Sequence, residues 1–481
     1  MSDSLEDLPI AVIGAGPVGL AAAAHLHERG LDFIVLETGD VPASTVRQWA
    51  QVSLFSPWRF NVDTAARRLL VDVGWVEPDP DVLPTGGQLA ADYLQPLADL
   101  PQLKPHLRYG ARVTAISRLG IDRVRTVGRA QTPFLIRLAD DTELLARAVI
   151  DASGTWGTPN VLGSSGIPAH GEASAAGYVD SALPDLLGAA RSRFAGQHTL
   201  VVGAGHSAAN TLLALAELAA AAPGTEVTWA IRTADPSRTY GGGDADALPA
   251  RGALGSLLRE HVEAGRIRLL TNFFVHALRP TATGGMQVVG REPASGMQVV
   301  GREPASGGPV VGREPASGGP VGGREPASGG PVGGREPASG GPVGERSVTV
   351  DRIISATGFR PDHTIAAELR LDLDPIMGSS RALAPLIDPN EHSCGTVPPH
   401  GVDELTHPEP GYFAVGVKSY GRAPTFLMAT GYEQVRSVVA ALAGDWSGAR
   451  DVQLDLPETG VCNSNPVAGV QTVDEGGCCG G

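Results

Sequence analysis

The run Leu8-Pro-Ile-Ala-Val-Ile-Gly-Ala-Gly-Pro-Val-Gly19 decides how the rest of the chain is read. Ile10 to Ile13 is a short apolar run, expected as a buried strand. It enters Gly14-Ala-Gly16-Pro17-Val-Gly19, which fits GxGxxG, and a helical pattern follows through Leu20, Ala24 and Leu26 to Gly30. A second apolar run, Phe33 to Leu36, ends in Glu37. In such a βαβ unit Gly14 permits the tight turn and Gly16 lets backbone approach a pyrophosphate. Gly19 lets the helix pack on the strand, so that its N-terminus faces phosphate charge. Glu37 is placed to accept hydrogen bonds from ribose hydroxyls. An isolated GxGxxG says little, but here strand, turn, helix, strand and acid all stand in order.

The same pattern returns further along. His198 to Val202 reads as a strand, Gly203-Ala-Gly205-His206-Ser207-Ala208 as the glycine turn, Ala209 to Ala221 as a helix and Val227 to Ile231 as the next strand. Two fingerprints in one chain are far more specific than one. The second differs at its strand end, where Arg232 replaces the acid. A guanidinium there accommodates a 2′-phosphate with paired donors, so the second site reads as one for NADP(H). The plainer alternative is a solvated strand-end charge.

Composition sets the outer limits. A chain of 481 residues, 42% hydrophobic and 19% charged, has the make-up of a globular protein of two or three domains. The net charge of -15 argues against nucleic acid or an anionic membrane as partner. Met1 to Asp7 is acidic and lacks the basic start of a signal peptide. Leu212 to Ala222, the longest greasy segment, is too short to span a bilayer. Four cysteines, three near the end, are no disulfide framework, and a cytoplasmic setting is expected.

Between the fingerprints, Trp49, Trp58 and Phe60 suit either the wall of an aromatic cofactor or ordinary packing. Thr85 is a candidate N-cap for a helix between Leu83 and Leu100. Ala111 to Ile116, Pro133 to Leu138 and Glu143 to Ile150 read as strands, the last running into Asp151-Ala-Ser-Gly154. Residues 156 to 195, rich in Gly, Pro, Ser and Ala, read as a crossing between domains. An 11-residue unit near GxxVxGREPAS then recurs, with Arg291, Arg302, Arg313, Arg324 and Arg335 evenly spaced. One proline per unit excludes continuous helix, and the glycine content cannot offset the entropy of ordering. The repeat therefore reads as an expanded hairpin loop between strands near Met286 and Ser347. Val350 to Ser355 is a strand stopping at Ala356-Thr-Gly358, and Gly411 to Gly416 is another strand-to-glycine junction. A final helix is expected from about Pro424 to Leu442.

This order of motifs resembles the flavoproteins with two dinucleotide-binding domains, and within them the NADPH-dependent flavin monooxygenases. The resemblance implies an α/β fold of two Rossmann-like domains, three-layer ββα in type, with the NADP domain inserted into the FAD domain. Residues 1–195 would begin the FAD domain, 196–358 would form the NADP domain with the repeat at 285–345, 359–450 would return to the FAD domain, and 451–481 would be a tail. FAD would be held by Gly14, Gly16, Pro17, Gly19, Glu37, Trp49, Val113, Gly358 and Gly416. NADPH would be held by Gly203, Gly205, His206, Ser207, Ala208 and Arg232. More narrowly, His392 to Val397, Lys418-Ser-Tyr-Gly-Arg-Ala-Pro-Thr-Phe426 and Gly431-Tyr-Glu-Gln434 resemble flavoproteins carried in arsenic-resistance operons.

Two departures from the family matter. Gly166 to Glu172 lacks the FxGxxxHxxx(W/Y) signature of class B monooxygenases, and no CxxC pair follows either fingerprint. The first leaves the substrate open and the second disfavours a dithiol relay. The absence of a Gly-Asp pair at Gly416-Val417 tilts toward monooxygenases. The implied chemistry is hydride transfer from NADPH to FAD, then electron delivery to oxygen and oxygenation of a small soft-atom substrate, an arsenical or a thiol. Lys418, or the helix start near Pro424, would stabilise negative charge on reduced flavin; an ordinary surface lysine is the alternative. Cys462, Cys478 and Cys479 could together bind trivalent arsenic as soft thiolates, or be an inert tail. Cys394 with His392, His400 and His407 reads as packing, not a metal set. The competing functions are a flavin reductase or oxidase without oxygen insertion, and a metalloid-binding or redox-sensing flavoprotein without turnover.

Overall fold

The computed structural model describes residues 5–241, 249–282, 284–292, 344–392, 397–424 and 426–454. The fold is α/β, built from two units of the same plan. The first has a five-stranded parallel sheet in the order Tyr412–Ala414, Ala148–Asp151, Ile10–Ile13, Phe33–Leu36, Leu107–Arg108. The second has Arg268–Leu270, Glu226–Ala230, His198–Val202, Arg352–Ser355, Val179–Ser181. In each, the fingerprint strand is central and a three-stranded antiparallel sheet joins the unit: Val113–Arg118, Phe134–Leu138 and Glu143–Ala146 in the first, Phe274–Pro280, Met286–Arg291 and Glu345–Val350 in the second. Parallel strands need crossovers, which is why helices follow the glycine turns.

The edge strands reveal the insertion. The first unit's edge strand, Tyr412–Ala414, arrives after the whole second unit has been built. The second unit's edge strand, Val179–Ser181, precedes its fingerprint and lies inside the stretch read as a crossing. Glu143 to Ile150, read as one strand, is two. It breaks at Arg147, and the two pieces join different sheets. Sequence periodicity does not show that break because apolar residues stand on both sides of Arg147.

The helix Pro17–Glu28 is apolar on nearly its whole circumference, with Leu20, Ala21, Ala22, Ala23, Ala24 and Leu26 fully buried. It is buried because the helix Met428–Leu442 covers the side turned away from the sheet. Each buried Leu or Val in that sandwich contributes about 1.5–3 kcal/mol. The expected helix start near Pro424 is corrected. Leu427 is extended at φ -117° and ψ 146°, and the helix begins at Met428.

Thr85 does cap a helix, with a full capping box to Gln88. The helical stretch then passes through a π-helical turn, Leu89–Leu94, just before Pro96. Proline has no N–H for the carbonyl four residues back, that of Asp92, and the Trp75 indole donates to that oxygen at 2.8 Å. Either side of the repeat, Met286–Arg291 pairs antiparallel with Glu345–Val350, Arg291 facing Glu345. Of the repeat expected over 285–345, Met286–Arg291 and Glu345 belong to these strands, which corrects its bounds, and residues 293–343 lie outside the described residues.

Candidate functional site

The two glycine turns are geometrically alike. Gly14 has φ +97°, and a Cβ there would stand 2.9 Å from the Ala152 carbonyl oxygen. Gly203 has φ +139°, and a Cβ would meet the Ala356 oxygen at 2.1 Å. Each first glycine is thus pressed against the neighbouring strand's exit, and a side chain is excluded. Gly19 is tighter still, since a Cβ would stand 1.9 Å from the Gly14 oxygen. The middle glycines behave in the opposite way. A Cβ on Gly16 or Gly205 would meet nothing within 4 Å. Neither needs glycine for its own φ, -80° and -92°. Open space over backbone at a helix N-terminus is what a pyrophosphate requires.

Glu37 completes the first cradle. Its carboxylate accepts from Ala15 N–H at 2.7 Å and Gly39 N–H at 2.8 Å, which fixes it beside the turn. Lone pairs remain for ribose hydroxyls. In the second cradle Arg232 is exposed and donates to the Ser164 carbonyl at 3.3 Å. His206 opens the second helix and packs against Phe55 of the first unit, ring centroids 4.8 Å apart. Ser207 follows it with its carbonyl taken by Thr211, and Ala208 is buried beneath. Pro17 occupies the first position of its helix, where a missing N–H costs nothing. These residues fit a dinucleotide at each turn.

The remaining expected FAD contacts stand in varied settings. Trp49 is half-buried against Gly86, where a Cβ would come within 2.5 Å of its ring. Trp58, by contrast, is core packing, 2% exposed. Val113 lies at the start of the antiparallel sheet, beside Ala111, whose N–H bonds the Glu37 carbonyl at 2.8 Å. Gly358 has φ +88° and is clamped by the crossing. Asn160 N–H donates to its carbonyl at 2.9 Å, and the Asn160 amide donates to the Thr357 carbonyl at 2.9 Å. Gly416 has φ +67° and faces Val18 of the first fingerprint helix, whose Cγ2 would be 3.2 Å from an added Cβ.

Lys418 is not a surface lysine, which corrects the plainer reading of it. It is 1% exposed, and its ammonium donates to Asp151 Oδ2 at 2.6 Å and Ser153 Oγ at 2.9 Å. Tyr412 O–H also donates to Asp151 Oδ2 at 2.9 Å, and Ser153 Oγ to Oδ1 at 2.7 Å. Burial alone would raise the Asp151 carboxyl, but the Lys418 charge and these donors outweigh it and hold it below the usual carboxylate range. Asp151 ends the strand beside Ile13, so this polar knot sits directly behind the first glycine turn.

Gln434 enters the sequence reading only as the end of the stretch Gly431-Tyr-Glu-Gln434, with no role in the site. It is fully buried, and its oxygen accepts from Gly416 N–H at 2.7 Å while its amide donates to Ser419 Oγ and His400 Nε2. No periodicity marks it, because its helix is buried on every side from Thr430 to Ala440. His400 is thereby used in packing, and His407 accepts from Asp372 N–H at 3.2 Å. Among the described residues no group of His, Cys, Asp and Glu could hold a metal. Cys394, Cys462, Cys478 and Cys479 lie outside them. No helix among the described residues is long and apolar enough to cross a membrane.

Residues 11–240 match the family model described as pyridine nucleotide-disulphide oxidoreductase. Indole-3-pyruvate monooxygenase YUCCA6 of Arabidopsis thaliana is 29% identical over 214 residues, 44% of this chain and 45% of that protein. Indole-3-pyruvate monooxygenase YUCCA1 of Oryza sativa subsp. japonica is 30% identical over 201 residues, 41% and 42% of the two chains. The matched region is less than half the length of these curated relatives. Among solved structures, the bacillithiol disulfide reductase of Bacillus cereus superposes with TM-score 0.59 at 15% identity, over 91% of this chain and 99% of that one. FAD-bound DfoA, the cadaverine monooxygenase of Erwinia amylovora, does so with TM-score 0.59 at 13% identity, over 93% and 97%. The chain thus has the paired α/β fold of the FAD- and NAD(P)-linked flavoprotein oxidoreductases, and its residues 11–240 match the pyridine nucleotide-disulphide oxidoreductase family.

Proposed function

We propose that the chain is an NADPH-dependent FAD oxidoreductase of monooxygenase type. The observation that carries this is the pair of open glycine cradles at Gly16 and Gly205, one fixed to a carboxylate and the other beside a guanidinium. FAD in the first cradle would supply hydride acceptance from NADPH and electron delivery to dioxygen. The protein's own work is binding and orientation. Gly14, Gly16, Pro17 and Gly19 would bring backbone to the FAD pyrophosphate, with Glu37 on the ribose. Gly203, Gly205, His206, Ser207 and Ala208 would do the same for NADPH, with Arg232 on its 2′-phosphate. Trp49, Val113, Gly358 and Gly416 would line the FAD, and the Lys418–Asp151 pair would hold the Gly416 turn in place.

The substrate we propose is a small molecule with a soft acceptor atom, an arsenical or a thiol compound, and the setting cytoplasmic. The stretches 392–397, 418–426 and 431–434 support the arsenical reading by resemblance, as do the thiols Cys462, Cys478 and Cys479 as a metalloid site. The sequence carries no CxxC pair, which favours oxygenation over disulfide reduction.

The test is spectroscopic and isotopic. Purified protein is expected to be yellow, to be reduced by NADPH faster than by NADH, and to place one atom of labelled dioxygen in the product. A colourless protein that takes up no flavin overturns the reading. Substrate turnover with no label in the product assigns the chain to the reductases. In that case oxygen insertion is withdrawn and the two cradles stand.

A further inference from the structure

Two arginines, Arg360 and Arg422, lie in the segments that follow a strand of each parallel sheet. Arg360 follows the strand Arg352–Ser355 of the second unit, and its N–H is pinned to the Thr158 carbonyl at 3.0 Å. Its guanidinium lies 3.3 Å from where a Cβ on Gly166 would stand. Arg422 follows the strand Tyr412–Ala414 of the first unit, its N–H bonded to the Met377 carbonyl at 2.8 Å. Pro361, next to Arg360, reaches the residue after Met377, its Cγ 3.8 Å from the Cβ position of Gly378. The two backbones are thereby held side by side.

Arg360 is half-buried and Arg422 exposed, and among the described residues neither guanidinium has a carboxylate partner or a side-chain hydrogen bond, whereas the buried Arg118, Arg129 and Arg436 are each paired with a glutamate. The nearest acid in sequence, Asp362, is committed to Thr364 N–H and Oγ1. Burial, then the Arg422 charge, hold the Arg360 guanidinium below its ordinary range. A bound anion would relieve the repulsion between these two like charges. Next to Arg360 in sequence, Phe359 stacks on Trp156 with ring centroids 4.8 Å apart and 24° between planes, both half-exposed. The Trp156 indole is fixed by Gln48 Oε1 at 2.8 Å. In open α/β sheets the ends of the strands are where ligands bind.

We propose that Arg360 and Arg422 receive the anionic head of the substrate, a small organic oxyanion whose apolar body lies on the Trp156–Phe359 stack. The proposal rests on the oxidoreductase reading above and names the substrate class for its site. The oxyanion is carried by the substrate, while the phosphates of NADPH are served by the second glycine turn and Arg232.

The probes are benzoate, its uncharged counterpart benzamide, and NADP+, titrated calorimetrically into holoprotein. Flavin content is read separately by absorbance, so loss of the flavin reading and loss of this proposal are distinct results. Benzoate is expected to bind and benzamide not to. Arg360→Gln and Arg422→Gln should each weaken benzoate by about tenfold or more, with flavin content and NADP+ affinity unchanged. Arg422→Lys, which keeps the charge, should retain part of the affinity if either Gln variant loses its fold. Equal binding of benzoate and benzamide, no benzoate binding at all, or variants that weaken only NADP+ would overturn the proposal.

Discussion

Lys418 Nζ lies 2.6 Å from Asp151 Oδ2, although the two stand 267 positions apart in sequence, and both side chains are buried. The pair ties the first unit's outgoing strand to the strand that returns after the second unit. Removing one partner of a buried pair leaves the other charge without compensation, at a cost of about 3–5 kcal/mol. Lys418→Met is therefore expected to destabilise by that amount in urea unfolding. Lys418→Met with Asp151→Asn should recover most of the loss. A double variant as unstable as the single one would show that the charge pair is not the cause.

A second expectation concerns pH. Burial, with the His363 charge adding to it, pushes the His407 imidazole down from 6.5 to about 4. A base held neutral in the folded state stabilises fully above its unfolded pKa. The contribution is lost as pH falls from about 6.5 toward 4, because the unfolded chain takes up the proton first. It amounts to about 3 kcal/mol across that window. Burial lowers His363 and His400 as well, so the acid limb should be steep. His407→Gln should make the stability–pH curve shallower by one proton between pH 6.5 and 4, and an unchanged slope would refute the assignment.

The open middle glycines allow binding to be separated from folding. Gly205→Ala adds a methyl group that meets nothing within 4 Å, at an ordinary φ of -92°. Its stability should stay within about 0.5 kcal/mol of the parent. NADPH affinity should fall by about tenfold or more, since the methyl takes the phosphate's place. Gly19→Ala, whose Cβ would stand 1.9 Å from the Gly14 oxygen, should instead lose folded protein. Thermal melts beside nucleotide titrations check both outcomes.

Deleting Gly296 to Gly340 should leave flavin binding intact. The strands flanking the repeat are paired as far as Glu292 N–H to the Gly344 carbonyl, 2.9 Å, so a shorter connection can still join them. Flavin-to-protein ratio in the deletion variant is the measurement, and loss of flavin from an otherwise folded protein would contradict it.

Both glycine turns, their strands and helices, Glu37 and the Thr85 cap are determined by the sequence alone. Each is a local event, in which a few adjacent residues decide whether a turn can close or a helix can start. Arg147 shows the limit of local reading, because one charged residue between apolar neighbours does not say that the strand changes sheets there. Lys418 shows it more sharply. Its neighbours in sequence say nothing of Asp151, and only the return of the chain after the inserted unit brings the ammonium under the first turn. Gln434 and the Arg360–Arg422 pair likewise depend on strands and helices distant in sequence meeting in space. Tertiary structure decides these because burial and charge pairing act through distance in space, which the topology sets and the order of residues does not display.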